Sequence, residues 1–360
     1  MDERIYTAQS LLKQKKCDML ALSDKDTTHR WLIGSVVEHS LIFVPARGKP
    51  TIVMSPLEQV SAEMRRNWNA VAPKNRDEQK QMIERLIKKV RRFAVSGSTC
   101  SLRLQQILDA KNKKKFVDIE KELLELRETK TANEIVLLQK ANELTARCFN
   151  EVMNEWRNDA FRHELDVVRF IKQFALAHDA GLSFEPIVAS GKNAAVPHHS
   201  KSTVLNKGFC VIDFGFIIGG YHADMTRTVY LGKPSVNELL RYNKLLEIQE
   251  AAIALVKPGV KCADLHQFVV KMLGTHDAEL FIHSLGHGVG LDIHELPNVS
   301  ANSDAVLVDG MCITIEPGMY DSKSRNAFGM RIEDSLVVVK NGHINLTHNA
   351  TKSLIILDRK

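Results

Sequence analysis

The chain has 360 residues, of which 44% are hydrophobic and 26% charged. That is the composition of a folded globular protein, not of a disordered one, and the length makes room for about two domains. The formal net charge is +6. Its clusters, Arg65 and Arg66 and then Lys111, Lys113, Lys114 and Lys115, carry no interleaved aromatics and no nucleic-acid-binding motif, so they read as a solvated face and no nucleic-acid partner is expected.

In chain order, amphipathic periodicity predicts helices near 3–16, 57–66, 78–91 and 101–111. Short apolar runs between them predict strands at 18–23, 40–44, 51–54, 93–96 and 116–119. This alternation implies a small α/β domain, and no glycine-rich phosphate loop interrupts it. A boundary falls near Arg127, giving domains 1–126 and 127–360. Just beyond it, Thr131 and Glu134 have capping-box spacing, and Ile135, Leu138, Ala141, Leu144, Cys148 and Val152 line one helix face. Further helices are expected at 163–179, from Ser235 towards Lys257, and at 262–273. Strands are expected at 185–190, 209–217, 226–231, 311–316 and 332–339. The second part is therefore α+β. The N-terminal segment lacks a signal-peptide apolar region, and no window approaches the ~20 apolar residues of a membrane helix. Six scattered cysteines without a CxxC pair suit reduced thiols. Together these readings imply a cytoplasmic protein with no membrane partner.

Three segments of the second part concentrate acids and histidines. In the first, an apolar strand ends at Asp213, a turn carries Gly219 and Gly220, and a second strand begins near Asp224. A hairpin of this length sets the two carboxylates side by side, where a divalent cation would relieve their repulsion. In the second, glycines flank His287, as for a ligand held out from a loop. In the third, Glu316 and Glu333 each follow a β-branched residue inside an apolar strand, where a glutamate needs a partner. Four carboxylates and one imidazole suit two divalent cations, manganese or cobalt first, with zinc also possible.

These segments, VIDFG…GGYHADMTRT, HSLGHGVGLDIHELP, TIEPGMY and GMRIED, resemble the motifs of the "pita-bread" metallopeptidases. They are most similar to its proline-specific branch, the Xaa-Pro aminopeptidases and Xaa-Pro dipeptidases. The resemblance implies a pita-bread catalytic domain preceded by a small creatinase-like α/β domain. It implies that Asp213, Asp224, His287, Glu316 and Glu333 hold two metal ions, with Asp224 and Glu333 bridging, and that Glu316 is also the general acid/base. His198 and His294 would be catalytic and contact substrate, and His283 would line the proline pocket. Thr226 and Arg331 would orient ligating carboxylates. His199 and His222 match no role. The implied reaction is hydrolysis of the Xaa–Pro bond at peptide N-termini by hydroxide held between the metals. The implied partners are peptides with proline second and a second copy of the chain. A dipeptidase restricted to Xaa-Pro is the alternative. Methionine aminopeptidase is disfavoured by Met225-Thr-Arg-Thr228 and by Met319 and Tyr320 after Glu-Pro-Gly, and a non-catalytic peptide-binding protein by the intact ligand set.

Overall fold

A computed structural model describes residues 3–59, 61–109 and 113–357. Lys111 of the basic cluster, Val60 within the helix expected at 57–66, and both extreme ends of the expected domains lie outside the described residues. The chain divides into two compact units, Met1–Arg127 and Glu128–Lys360.

The first unit is built on a six-stranded sheet. Its spatial order is Asn69–Val71, Thr51–Val53, Leu41–Pro45, Met19–Ser23, Arg92–Val95 and Lys115–Asp118. Met19–Ser23 pairs antiparallel with Leu41–Pro45 and parallel with Arg92–Val95, so the sheet is mixed. Phe43, Val53, Phe93, Ile83 and Leu108 form a core on it. Three elements exceed the sequence expectation, one of them helix Glu120–Glu128. Helix Thr27–Ile33 starts where Asp26 accepts a hydrogen bond from the Thr28 N–H and stops at Gly34, whose φ of 72° suits glycine. Seven residues are too few for a 3.6-residue period to accumulate. Strand Asn69–Val71 has only three residues and begins on a polar one.

The second unit opens with helix Ala132–Arg157, whose capping box between Thr131 and Glu134 is formed. Helices Glu164–Ala177, Val236–Ala254 and Cys262–Ala278 follow. One sheet contains Ile187–Ser190, Gly208–Phe214, Met225–Leu231 and Ile356–Leu357. Another contains, in spatial order, Glu295–Val299, Gly286–Gly288, Cys312–Ile315, Asp334–Val339 and Gly342–Asn345. Gly208–Phe214 and Met225–Leu231 pair antiparallel, with Asp213 opposite Thr226. The expected strand 209–217 breaks at Gly215, where a side chain would overlap the Ala223 carbonyl. The chain then enters a small sheet through Phe216–Ile218 and Tyr221–His222 before returning. The fold is the expected one, an α+β domain with a smaller α/β unit ahead of it. Among the described residues no helix is long and apolar enough to cross a membrane.

Candidate active site

The four carboxylates singled out by sequence sit at or beside strand ends. The register that sets Phe214 against Met225 brings Asp213 and Asp224 to one end of their ladder. Ile315 pairs with Asp334, so Glu316 and Glu333 leave the other sheet at one end as well. This corrects the expectation that both glutamates lie inside strands. Glu316 follows Cys312–Ile315, and its N–H bonds the Leu285 carbonyl at 2.8 Å. Glu333 falls in a break between Phe328–Arg331 and Asp334–Val339, because its N–H turns aside to the Thr226 carbonyl at 3.1 Å. That hydrogen bond ties the two sheets together.

His287 also departs from expectation. It lies in strand Gly286–Gly288, not on a loop, and is buried. Its glycine neighbours are needed for close backbone approach: a side chain at 286 would overlap the Thr314 carbonyl, and one at 288 the Leu296 carbonyl. His287 Nδ1 lies 3.0 Å from the Gly288 carbonyl, which makes Nδ1 the donor and leaves the Nε2 lone pair free. Nε2 is 3.5 Å from Asp224 Oδ2 and 3.4 Å from Glu316 Oε1. Burial lowers the His287 pKa to about 4, so the ring is neutral at pH 7.

The carboxylates are pushed the other way. Burial, then repulsion from Glu333, Asp213 and Glu316, raises Asp224 well above the usual range. Burial and the repulsion of Glu316 and Asp213 do the same to Glu333. Glu316 is raised to about 8, chiefly by burial, with Arg331 opposing the shift and Asp213 adding to it.

Supporting side chains surround this cluster. Thr226 Oγ1 donates to Glu333 Oε2 at 2.8 Å and accepts from Arg331 Nε at 3.0 Å. Arg331, itself buried, also bonds Asp213 Oδ2 and the Tyr320 hydroxyl. Thr226 is fully buried and is not part of the cavity lining. The cavity, of about 850 Å³, is lined by the other nine predicted residues, including His198, His283 and His294. The His294 ring stands edge-on to His287 at 4.3 Å. His283 packs edge-on against Phe281, and burial lowers its pKa to about 4. His199 lies elsewhere, with Nε2 3.3 Å from Glu164. His222 is not among the lining residues.

Sequence reasoning passed over three supports. Thr314 Oγ1 accepts the His287 N–H at 3.1 Å and reaches Glu316 Oε1 at 3.3 Å. Its position two residues before Glu316 on a strand was the available signal, since alternate residues share a face. Tyr320 holds Arg331. Arg227 is fully buried and bonds Asp334 Oδ1 at 2.8 Å, as well as the carbonyls of Thr226, Glu333, Thr347 and Ala350. Although burial disfavours its charge, Asp334 is held well below the usual carboxylate range by Arg227 and Lys352. Nothing local in the sequence marks Arg227 as buried.

Residues 136–340 match the model of metallopeptidase family M24. The chain belongs to that family. Residues 4–129 match the creatinase/prolidase N-terminal domain. The chain is 32% identical over 303 residues to the Xaa-Pro dipeptidase of Pyrococcus furiosus, covering 82% of this chain and 84% of that one. In structure it is similar to the Xaa-Pro dipeptidase of Bacillus anthracis, with a TM-score of 0.89, 25% identity and 99% of both chains covered. The X-Pro aminopeptidase of Thermotoga maritima gives a TM-score of 0.83 at 27% identity, over 95% of this chain and 98% of that one.

Membership of M24 implies a divalent metal, and this site fits one. Asp224, His287 and Glu333 each present a ligand atom, all within 4.8 Å of one another. Asp213 Oδ1 is buried with no hydrogen-bond partner. A neutral imidazole lone pair beside crowded carboxylates is repulsive unless a proton or cation lies among them. Oxygen-rich ligation with one imidazole is the chemistry of a hard or borderline cation.

Proposed function

We propose that this M24 metallopeptidase is a proline-specific exopeptidase that hydrolyses Xaa-Pro dipeptides. The observation that carries the reading is the convergence of Asp213, Asp224, His287, Glu316 and Glu333 in one cavity that histidines flank. The dipeptidase reading takes the lead over the aminopeptidase one because relatives from Pyrococcus furiosus and Bacillus anthracis bear that name. The second unit would carry the chemistry and residues 1–126 would be an accessory domain. We read the protein further as a cytoplasmic homodimer.

The five residues would hold two divalent ions, manganese first, with cobalt or zinc as alternatives. Bound there, the ions would supply Lewis acidity and lower the pKa of water towards roughly 7. The remaining work falls to the chain. Glu316 takes the proton of the attacking water and passes it to the proline nitrogen, which has no N–H of its own and leaves poorly without one. Its raised pKa favours holding that proton, and cations beside it draw the value back down. His198 and His294 would donate to the scissile carbonyl as charge develops on its oxygen. His283, backed by Phe281, would form one wall for the proline ring. Thr226 and Arg331 are positioning residues, fixing the Glu333 and Asp213 carboxylates from behind.

The deciding experiment compares rates on an Xaa-Pro dipeptide and an Xaa-Pro-Yaa tripeptide after chelation and return of manganese. Preference for the dipeptide is expected. Cleavage of the tripeptide in preference restores the aminopeptidase reading, and failure on both overturns the proposal.

A further inference from the structure

The segment that carries His198 to the cavity has little regular structure of its own. After strand Ile187–Ser190 the chain makes the short 3₁₀ turn Gly191–Ala195 and then runs without helix or strand to Thr203. Val196, Pro197 and His198 from this segment line the cavity. His198 is exposed, and among the described residues no hydrogen bond holds its side chain. Its position is therefore set by the backbone on either side, tightened by a turn in which the His199 N–H bonds the Val196 carbonyl at 3.1 Å.

Both ends of that backbone are fastened to one carboxylate. Glu164 stands in the first turn of helix Glu164–Ala177 and is 1% exposed. Its Oε1 accepts from the Ser190 N–H at 2.7 Å and from the Ser190 hydroxyl at 2.9 Å. Its Oε2 accepts from the Thr203 N–H at 2.9 Å. The Asn193 amide donates to Oε1 at 3.0 Å and Oε2 at 3.2 Å, and also to the Thr203 hydroxyl at 2.8 Å. The helix start binds the same segment, the Glu164 N–H bonding the Thr203 carbonyl at 3.0 Å and the Leu165 N–H the Ser202 hydroxyl at 2.8 Å. Among the described residues Glu164 pairs with no Lys or Arg, and His199 alone approaches, with Nε2 3.3 Å from Oε2.

A buried carboxylate is a costly clamp unless its surroundings are all donors. Here they are: two backbone N–H groups, a hydroxyl and a side-chain amide converge on it, and the helix N-terminus favours an anion. A glutamine of the same shape would turn its own amide towards one of these donors and leave that donor unpaired.

We propose that Glu164 is a positioning residue for His198: by holding Ser190, Asn193 and Thr203 together it fixes the arc that sets the imidazole against the substrate. The proposal rests on the role given to His198 above. No group that Glu164 binds belongs to the metal-binding set, so its effect reaches the chemistry through His198.

The test is a double-mutant cycle on Xaa-Pro hydrolysis with manganese present. Glu164→Gln and His198→Ala are measured singly and together. Glu164→Gln should lower kcat about 10–100-fold. The double variant should be within about twofold of His198→Ala, because the side chain that Glu164 serves is already gone. Asn193→Ala opens the same clamp at a half-buried position and should show the same non-additivity with His198→Ala, which keeps the cycle available if Glu164→Gln does not fold. Hydrogen exchange needs no activity: amides of residues 190–203 should exchange faster in either clamp variant, while those of 210–228 keep their protection. Losses that multiply in the double variant, an unchanged kcat in the clamp variants, a His198→Ala variant as active as the unaltered chain, or unchanged exchange over 190–203 overturns the proposal. An unaltered chain inactive on every Xaa-Pro substrate would instead overturn the functional reading, and the exchange measurement would still decide whether Glu164 holds the segment.

Discussion

Stripping divalent cations from this protein should make its stability fall as pH rises from about 6.5 to about 8. The origin is the cluster of buried carboxyls. Glu316 has its pKa raised from 4.5 to about 8. In the cation-free folded state it therefore keeps a proton that the unfolded chain has already released. Stability from such a group is complete below the unfolded value and is lost as pH climbs through the folded one. Below about 6.5 the signal is mixed, because His29, His283 and His287, lowered to about 4, and His266 and His294, also lowered by burial, act in the opposite direction until the unfolded histidines have titrated. Above it the histidine contribution fades within about one pH unit and the carboxyls set the direction. At about 1.4 kcal/mol per pH unit, Glu316 accounts for about 2 kcal/mol across this window. Asp224 and Glu333, raised by burial and by the neighbouring carboxylates, add with the same sign. For a unit of this size that is a fall of at least about 4 °C in melting temperature. Calorimetric melts at several pH values, with chelator and with excess manganese, read the effect directly. The manganese-loaded melt should be nearly flat, since ionised ligands are what the cation needs. A chelated melting temperature that stays level or rises between pH 6.5 and 8 would refute the reasoning.

Replacing Glu316 with Gln should cut kcat on Xaa-Pro substrates by about 10²–10⁴-fold with the fold preserved, as steady-state rates and a melt will show. Thr226→Val removes the hydroxyl between Glu333 and Arg331, and manganese affinity by titration should drop about 10–100-fold. Arg227→Met leaves Asp334 buried and short of its main cation and should cost about 3–5 kcal/mol in denaturant unfolding. Adding Asp334→Leu should recover much of that loss, and failure to recover any would mean that Arg227 acts through its carbonyl contacts instead.

The site was readable from sequence where its residues are close along the chain. The strand, turn and strand from Cys210 to Thr228 carried enough pattern to place Asp213 beside Asp224, and the register agrees. Glu316 and Glu333 were readable as residue types but not in their setting. Ile332 on one side and the apolar run Leu336–Val339 on the other bracket Glu333, so 332–339 reads as one strand, and only the hydrogen bond from the Glu333 N–H to the Thr226 carbonyl, 107 positions away, breaks it. Arg227 was invisible for a related reason. An arginine in a strand reads as a solvent-facing residue, and its burial depends on carbonyls from Glu333, Thr347 and Ala350. The glycines around His287 signalled a special backbone correctly but not its kind. Close approach of two strands demands glycine as strictly as a loop does.

The bond between the Glu333 N–H and the Thr226 carbonyl bears on how the protein comes into being. Asp213 and Asp224 are synthesised early, yet the buried pocket that contains them is closed by a segment made more than a hundred residues later. The cluster is assembled only when Asp334–Val339 docks on Cys312–Ile315. Hydrolytic competence is thereby tied to completion of the fold.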